Sequence, residues 1–135
     1  MTRRRRGKSV IDRPSGAGYP SWRPVTVVET GVFRRFAEGL IGEDGIAALI
    51  DFLASRPEAG DLIEGTGGIR KLRWRIPGKG KRGGARVIYY YHSLAVPLLL
   101  LTVYGKSAQA DMTHDEKRRM VRLTGEFVAM KTRRN

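Results

Sequence analysis

Ile69-Arg70-Lys71-Leu72-Arg73-Trp74-Arg75-Ile76, then Pro77-Gly78-Lys79-Gly80-Lys81-Arg82-Gly83-Gly84, then Ala85-Arg86-Val87-Ile88-Tyr89-Tyr90-Tyr91, form the most strongly patterned stretch of the chain. Its first part alternates. Leu72, Trp74 and Ile76 fall on one side of an extended chain and Lys71, Arg73 and Arg75 on the other, so one face is core and the other a basic surface. Its third part alternates too, with Val87, Tyr89 and Tyr91 opposite Arg86, Ile88, Tyr90 and His92. Between them lies a glycine-rich turn. The whole predicts strand, basic loop, strand. From Arg70 to Arg86 there are eight Lys/Arg and no acid. Glycines at 78, 80, 83 and 84 allow a backbone to pass close to a phosphodiester, and Lys79, Lys81, Arg82 and Arg86 surround that path. Arginine brings a bidentate fork and lysine a point charge. Three readings stay open at this point: a solvated hairpin tip, a phosphate-binding loop, and a loop that binds phosphate and cleaves beside it.

Working outward, Ser93–Ala95 predicts a tight connection, and Val96–Tyr104 is apolar on both faces, as in a central strand covered on both sides. Short connections between successive strands predict an antiparallel meander. Upstream, Gly60–Gly68 reads as a turn-rich link. Val25–Glu29 is short and β-branched, a first strand. Thr30 is a candidate cap for a helix bearing Phe33, Phe36, Ala37, Leu40 and Ile41. Asp44 is a candidate cap for a second helix with Ile46, Leu49, Ile50 and Leu53 on its apolar face, closed by Pro57. The two are expected to form a helical hairpin on the sheet. Downstream, Thr113 and Glu116 make a capping box. Met120, Leu123, Phe127 and Met130 then mark a C-terminal amphipathic helix, with Lys117, Arg118, Arg119 and Arg122 near its start. The expected class is α+β: a small, mainly antiparallel sheet, an N-terminal helical hairpin and a C-terminal helix.

The chain has 135 residues, enough for one domain with one core. Residues 1–22, rich in Arg, Pro, Gly and Ser, read as a disordered basic extension, and 23–135 as the folded domain. The absence of cysteine excludes a disulfide framework and thiolate metal sites, and fits a reducing cytoplasm. No apolar run approaches the ~20 residues of a membrane span, and the four N-terminal arginines have no apolar run behind them, so neither a membrane nor a secretory signal is expected.

Net charge is +13, a prior for a polyanionic partner. The charge is segregated. Residues 25–69 hold eight acids against three bases, whereas 113–135 hold seven bases against three acids. No phosphate-binding P-loop, zinc spacing or nucleophile elbow occurs. His92 and His114 are the only histidines, and His114, at a helix start, reads as a surface residue. No metal or other cofactor is implied. Of Tyr89, Tyr90 and Tyr91, alternation sends at least one to the core. Tyr90 shares a face with Arg86 and is the candidate for the ligand side, where an exposed ring would stack a base.

The order Pro-Glu-Ala-Gly-Asp-Leu-Ile (57–63), Gly-Thr-Gly-Gly-Ile-Arg-Lys-Leu-Arg-Trp (65–74), Gly-Lys-Gly-Lys-Arg-Gly-Gly-Ala-Arg-Val-Ile-Tyr-Tyr (78–90) and Leu-Leu-Thr-Val-Tyr-Gly-Lys (100–106) resembles the RelE/ParE superfamily. Within it, the HigB-type RelE toxins of type II toxin–antitoxin systems look most similar. The resemblance spans about residues 25–130. It implies a ribosome-dependent endoribonuclease, an mRNA interferase, that cuts translated mRNA in the ribosomal A site by attack of the 2′-hydroxyl, without a metal. The implied partners are mRNA, ribosomal RNA and a cognate antitoxin of the HigA-like helix-turn-helix kind, with operator DNA reached only through the antitoxin complex.

By the same resemblance the catalytic positions are Lys79, Lys81, Arg86 and Lys106. Lys79 or Lys81 would serve as base, Arg86 as clamp on the scissile phosphate, and Lys106 as support for the leaving group. Arg73, Arg75, Arg82, Tyr90 and Tyr104 would contact RNA. The sequence lacks a catalytic histidine and a C-terminal tyrosine used elsewhere in the superfamily. Two alternatives stand beside this reading: a ParE-like toxin acting on DNA gyrase by protein binding, and a noncatalytic basic RNA-binding module. Fold alone does not choose between them.

Overall fold

The computed structural model describes residues 24–76, 84–106 and 111–132, with the backbone of residues 3–6. The basic turn, residues 77–83, therefore lies outside the described residues. Its two flanking strands, β4 (Ile69–Trp74) and β5 (Ala85–Tyr90), pair antiparallel with Leu72 opposite Val87 and Arg73 opposite Arg86. β5 pairs antiparallel with β6 (Leu98–Gly105). The predicted tight connection between them is closed by a bridge from Ser93 to Val96. β2 (Thr26–Glu29) runs parallel to β6 along Leu98–Leu100, so the sheet is mixed rather than wholly antiparallel. On the far side, the two-residue strand β3 (Asp61–Leu62) pairs with β4 inside the segment read as a turn-rich link. The order is β2-β6-β5-β4-β3. A strand of residues Arg3–Arg6, β1, runs antiparallel along the outer edge of β2. Of the extension read at 1–22, these four residues alone are among the described ones. An open β2 edge offers unpaired backbone groups that a neighbouring strand satisfies.

Three helices complete an α+β fold. α1 (Gly31–Leu40) starts where Thr30 accepts a hydrogen bond from the Phe33 N–H, the cap read from sequence. The Thr30 hydroxyl also donates to the Leu100 and Leu101 carbonyls, tying the helix start to β6. α2 (Gly42–Ser55) follows after Ile41 alone. Gly42, at φ 76°, makes that abrupt turn, a conformation side chains resist. Asp44 consequently sits in the first turn of α2, not at its cap, because a one-residue junction leaves no extended capping residue. α3 (His114–Thr132) carries the predicted capping box: Thr113 N–H donates to Glu116 Oε1 at 2.8 Å, and Glu116 N–H to Thr113 Oγ1 at 3.1 Å. No described helix is long and apolar enough to cross a membrane.

The sheet separates two cores. Val27, Val87, Tyr89, Leu98, Leu100 and Val103 pack with Phe33, Ala37, Leu49 and Leu53 of α1 and α2. On the opposite face Val28, Ile69, Ile88, Tyr90, Leu99 and Leu101 pack with Met112 and with Met120, Phe127 and Val128 of α3. Phe36, assigned by spacing to the buried stripe of α1, is 50% exposed.

Candidate phosphate-binding face

One irregularity places the site. Between Ile88 and Tyr89 the register with β6 slips: Ile88 faces Thr102 but Tyr89 faces Leu100. β6 thus carries an extra residue, a β-bulge. Before it, Leu98 and Leu100 point to α1 and α2; after it, Val103 does. Strict alternation from Leu100 would send Tyr104 to that same core. The bulge instead turns Tyr104 to the α3 side, directly across from Arg86. Arg86 in turn lies across from Arg73 on β4. Lys106 extends the ladder by donating its N–H to the Gly84 carbonyl at 3.1 Å, and stands two residues beyond Tyr104 on that face.

Arg86, Tyr104, Arg73 and Lys106 therefore meet on one face, with Arg73, Arg75 and Lys106 exposed. Lys79, Lys81 and Arg82 lie outside the described residues. Arg70, counted in the same basic run, does other work. Its Nη1 donates to the Glu58 and Gly60 carbonyls at 3.1 and 2.7 Å and holds the turn before β3.

Tyr90 corrects an expectation. It shares the face of Arg86, but only 5% of it is exposed. Its ring packs against Gly68, where a Cβ would come within 2.9 Å of Cε1. A ring with both sides packed cannot stack a base, and Tyr90 belongs to the α3-side core.

The electrostatics of the centre are unusual for a structural site. Arg86 is only 8% exposed. Among the described residues its guanidinium makes one long hydrogen bond, Nη1 to Ala85 O at 3.4 Å, and no ion pair. Across the strand, the Tyr104 hydroxyl is buried and has no hydrogen-bond partner among the described residues. Buried polar groups are normally paired, so two adjacent under-used donors mark a candidate ligand site. Burial pushes the Tyr104 phenol up from its ordinary value; Asp111 and Glu116 add to the rise and Arg86 opposes it. The phenol therefore stays protonated, and so remains a donor, at neutral pH.

Asp111 was not picked out in the sequence, where no local pattern marks it. It lies just before α3, accepts the Met112 N–H at 2.9 Å and pairs with Lys71 Nζ at 3.4 Å. These contacts, the backbone hydrogen bond foremost, hold its carboxyl below the usual range. Lys71 is thereby engaged at the margin, leaving Arg73, Arg75, Arg86 and Lys106 as the cations of this face among the described residues. No protein-family model matches the chain.

Proposed function

We propose that this chain is a metal-free endoribonuclease of the RelE type, most like the HigB toxins, cutting translated mRNA at the ribosome. The order of residues from Pro57 to Lys106 carries the resemblance. The arrangement of Arg86 supports the chemistry: a buried guanidinium without a carboxylate partner among the described residues, beside a protonated phenol, suits an anion carrying several acceptor oxygens. A phosphodiester is such a group.

In this reading Arg86 and Tyr104 hold the non-bridging oxygens of the scissile phosphate. The 2′-hydroxyl attacks phosphorus, its proton passing to Lys79 or Lys81. The bond to the 5′-oxygen breaks, leaving a 2′,3′-cyclic phosphate, and Lys106 steadies the charge on the departing oxygen. Donors fixed in a strand pair stabilise the charge that grows on phosphorus oxygens without reorganising. Orientation of the substrate falls to the ribosome. An antitoxin encoded with such a toxin, of the helix-turn-helix kind, is the expected partner.

Brief expression followed by mapping of mRNA ends tests this. New breaks within translated codons are expected, and Arg86→Ala is expected to remove both breaks and growth arrest while the protein stays folded. Intact mRNA with double-strand DNA breaks would replace this reading with gyrase poisoning. Growth arrest by Arg86→Ala as strong as by the parent would end it.

A further inference from the structure

We infer that the cleft between α1 and α3 is a nucleobase pocket, which takes the base attached to the phosphate gripped by Arg86; this rests on the phosphate-binding reading above. The cleft has a volume of about 620 Å³. Val32, Phe36 and Leu40 of α1 wall one side, Met112 and Met120 the other, and β6 from Thr102 to Gly105 forms the floor.

Four observations argue for a base. First, Tyr104 lines this cleft and is also the cross-strand partner of Arg86. A cross-strand step is about 5 Å, so one nucleotide can reach from the phosphate face into the cleft. Second, the walls are apolar and one is a half-exposed ring. Phe36 serves neither core but is placed to lie against a flat heterocycle.

Third, the rim carries a donor. Arg119 stands on it, while Glu116 beside it already accepts the Thr113 N–H at Oε1. A base edge presents acceptors that a guanidinium can meet.

Fourth, the floor is an open strand edge. β2 pairs with β6 only as far as Leu100, after which the chain turns into α1. The Lys106 to Gly84 bond fixes the phase of the β5–β6 ladder. In an antiparallel ladder the alternate pairs turn their backbone groups outward. Val103 and Gly105 therefore direct N–H and C=O away from β5, toward the cleft. A base brings polar edges to these groups along with its apolar faces.

Calorimetric titration of the full chain with inorganic phosphate, adenosine 3′-monophosphate and guanosine 3′-monophosphate tests the inference. At least one nucleotide is expected to bind about tenfold tighter than phosphate, the lower end of what a stacked base contributes. Phe36→Ala should remove that advantage and leave phosphate affinity unchanged. Arg119→Ala, a fully surface change, should reduce the advantage and alter the preference between the two nucleotides. Nucleotides no tighter than phosphate, or an advantage retained in both variants, would overturn the inference while leaving Arg86 as a phosphate site. A Phe36→Ala effect confined to self-association in sedimentation would overturn it in favour of an interface between copies. Phosphate binding equally well to Arg86→Ala would instead bring down the underlying phosphate reading, and the pocket with it.

Discussion

Tyr89 and Tyr104 are both phenols drawn into the protein, and their partners separate a structural group from a functional one. The Tyr89 hydroxyl donates to the Pro57 carbonyl and accepts from the Gly60 N–H, each at 2.8 Å. It stitches the turn after α2 to the centre of the sheet. Gly60 must be glycine for this, since a Cβ there would lie 2.9 Å from Tyr89 Cε1. Tyr89→Phe should cost about 1–3 kcal/mol, because the Gly60 N–H is left buried and unpaired. Burial raises the Tyr89 pKa above its ordinary value, outweighing the Gly60 hydrogen bond that lowers it. The unfolded chain then gives up its phenolic proton first, near pH 10. The stability tied to the neutral phenol is complete below that pH and is lost as pH climbs through the folded value. Denaturant midpoints measured from pH 8 to 11 should fall at the alkaline end, and fall less steeply in Tyr89→Phe. Equal slopes in the two proteins would show that Tyr89 does not govern the alkaline limit. Tyr104 has neither kind of partner among the described residues, and that difference is why it, and not Tyr89, is assigned to the ligand.

At the scale of elements, α3 is held in place chiefly by its start. The reciprocal Thr113–Glu116 bonds satisfy two of the helix's free N–H groups. The same turn carries Met112 into the α3-side core and Asp111 to Lys71. Thr113→Ala should therefore cost about 1 kcal/mol and loosen Asp111 as well. Faster hydrogen exchange confined to residues 112–118 would be the sign of it, and exchange unchanged there would show that core packing alone fixes the helix.

This box was legible in the sequence because both its partners are local. So were the Thr30 cap and the alternation of β4 and β5, where Leu72 and Trp74 alternate with Lys71 and Arg73, and Val87 and Tyr89 with Arg86 and Ile88. What escaped notice depends on non-local pairing. β3 has only Asp61 and Leu62, too short and too exposed to leave a pattern. The bulge in β6 is silent because Leu98–Leu101 is apolar on both faces, so slipping one residue changes no hydrophobic count. Yet that slip decides which face Tyr104 joins. The sequence identified Arg86 and Lys106 through a resemblance, but their meeting with a buried phenol could be read only from the register.

At the scale of the whole molecule, charge follows the two faces of the sheet. Lys71 and Arg73 of β4, Arg86 of β5 and Lys106 at the end of β6 lie on the α3 side, while α2, with three acids and no base, lies on the other. Ala47 and Ala48 are exposed on α2, on that opposite side. This arrangement separates binding by a defined face from attraction by a net charge of +13. Arg73→Ala with Arg75→Ala removes two charges from the proposed face, and Ala47→Lys with Ala48→Lys adds two on the far side. If bulk charge governed, the second pair would tighten RNA binding about as much as the first weakened it. If the face governs, only the first pair matters. Each phosphate contact on a single strand contributes about 0.7 to the slope of log K against log salt. The arginine pair should therefore flatten that slope by about 1.4, measured with a short single-stranded RNA between 50 and 300 mM salt on the order of those used for such titrations. The lysine pair should leave it unchanged. Equal and opposite shifts in the two double variants would mean that RNA is attracted to the molecule as a whole, and the site on the α3 side would lose its main physical support.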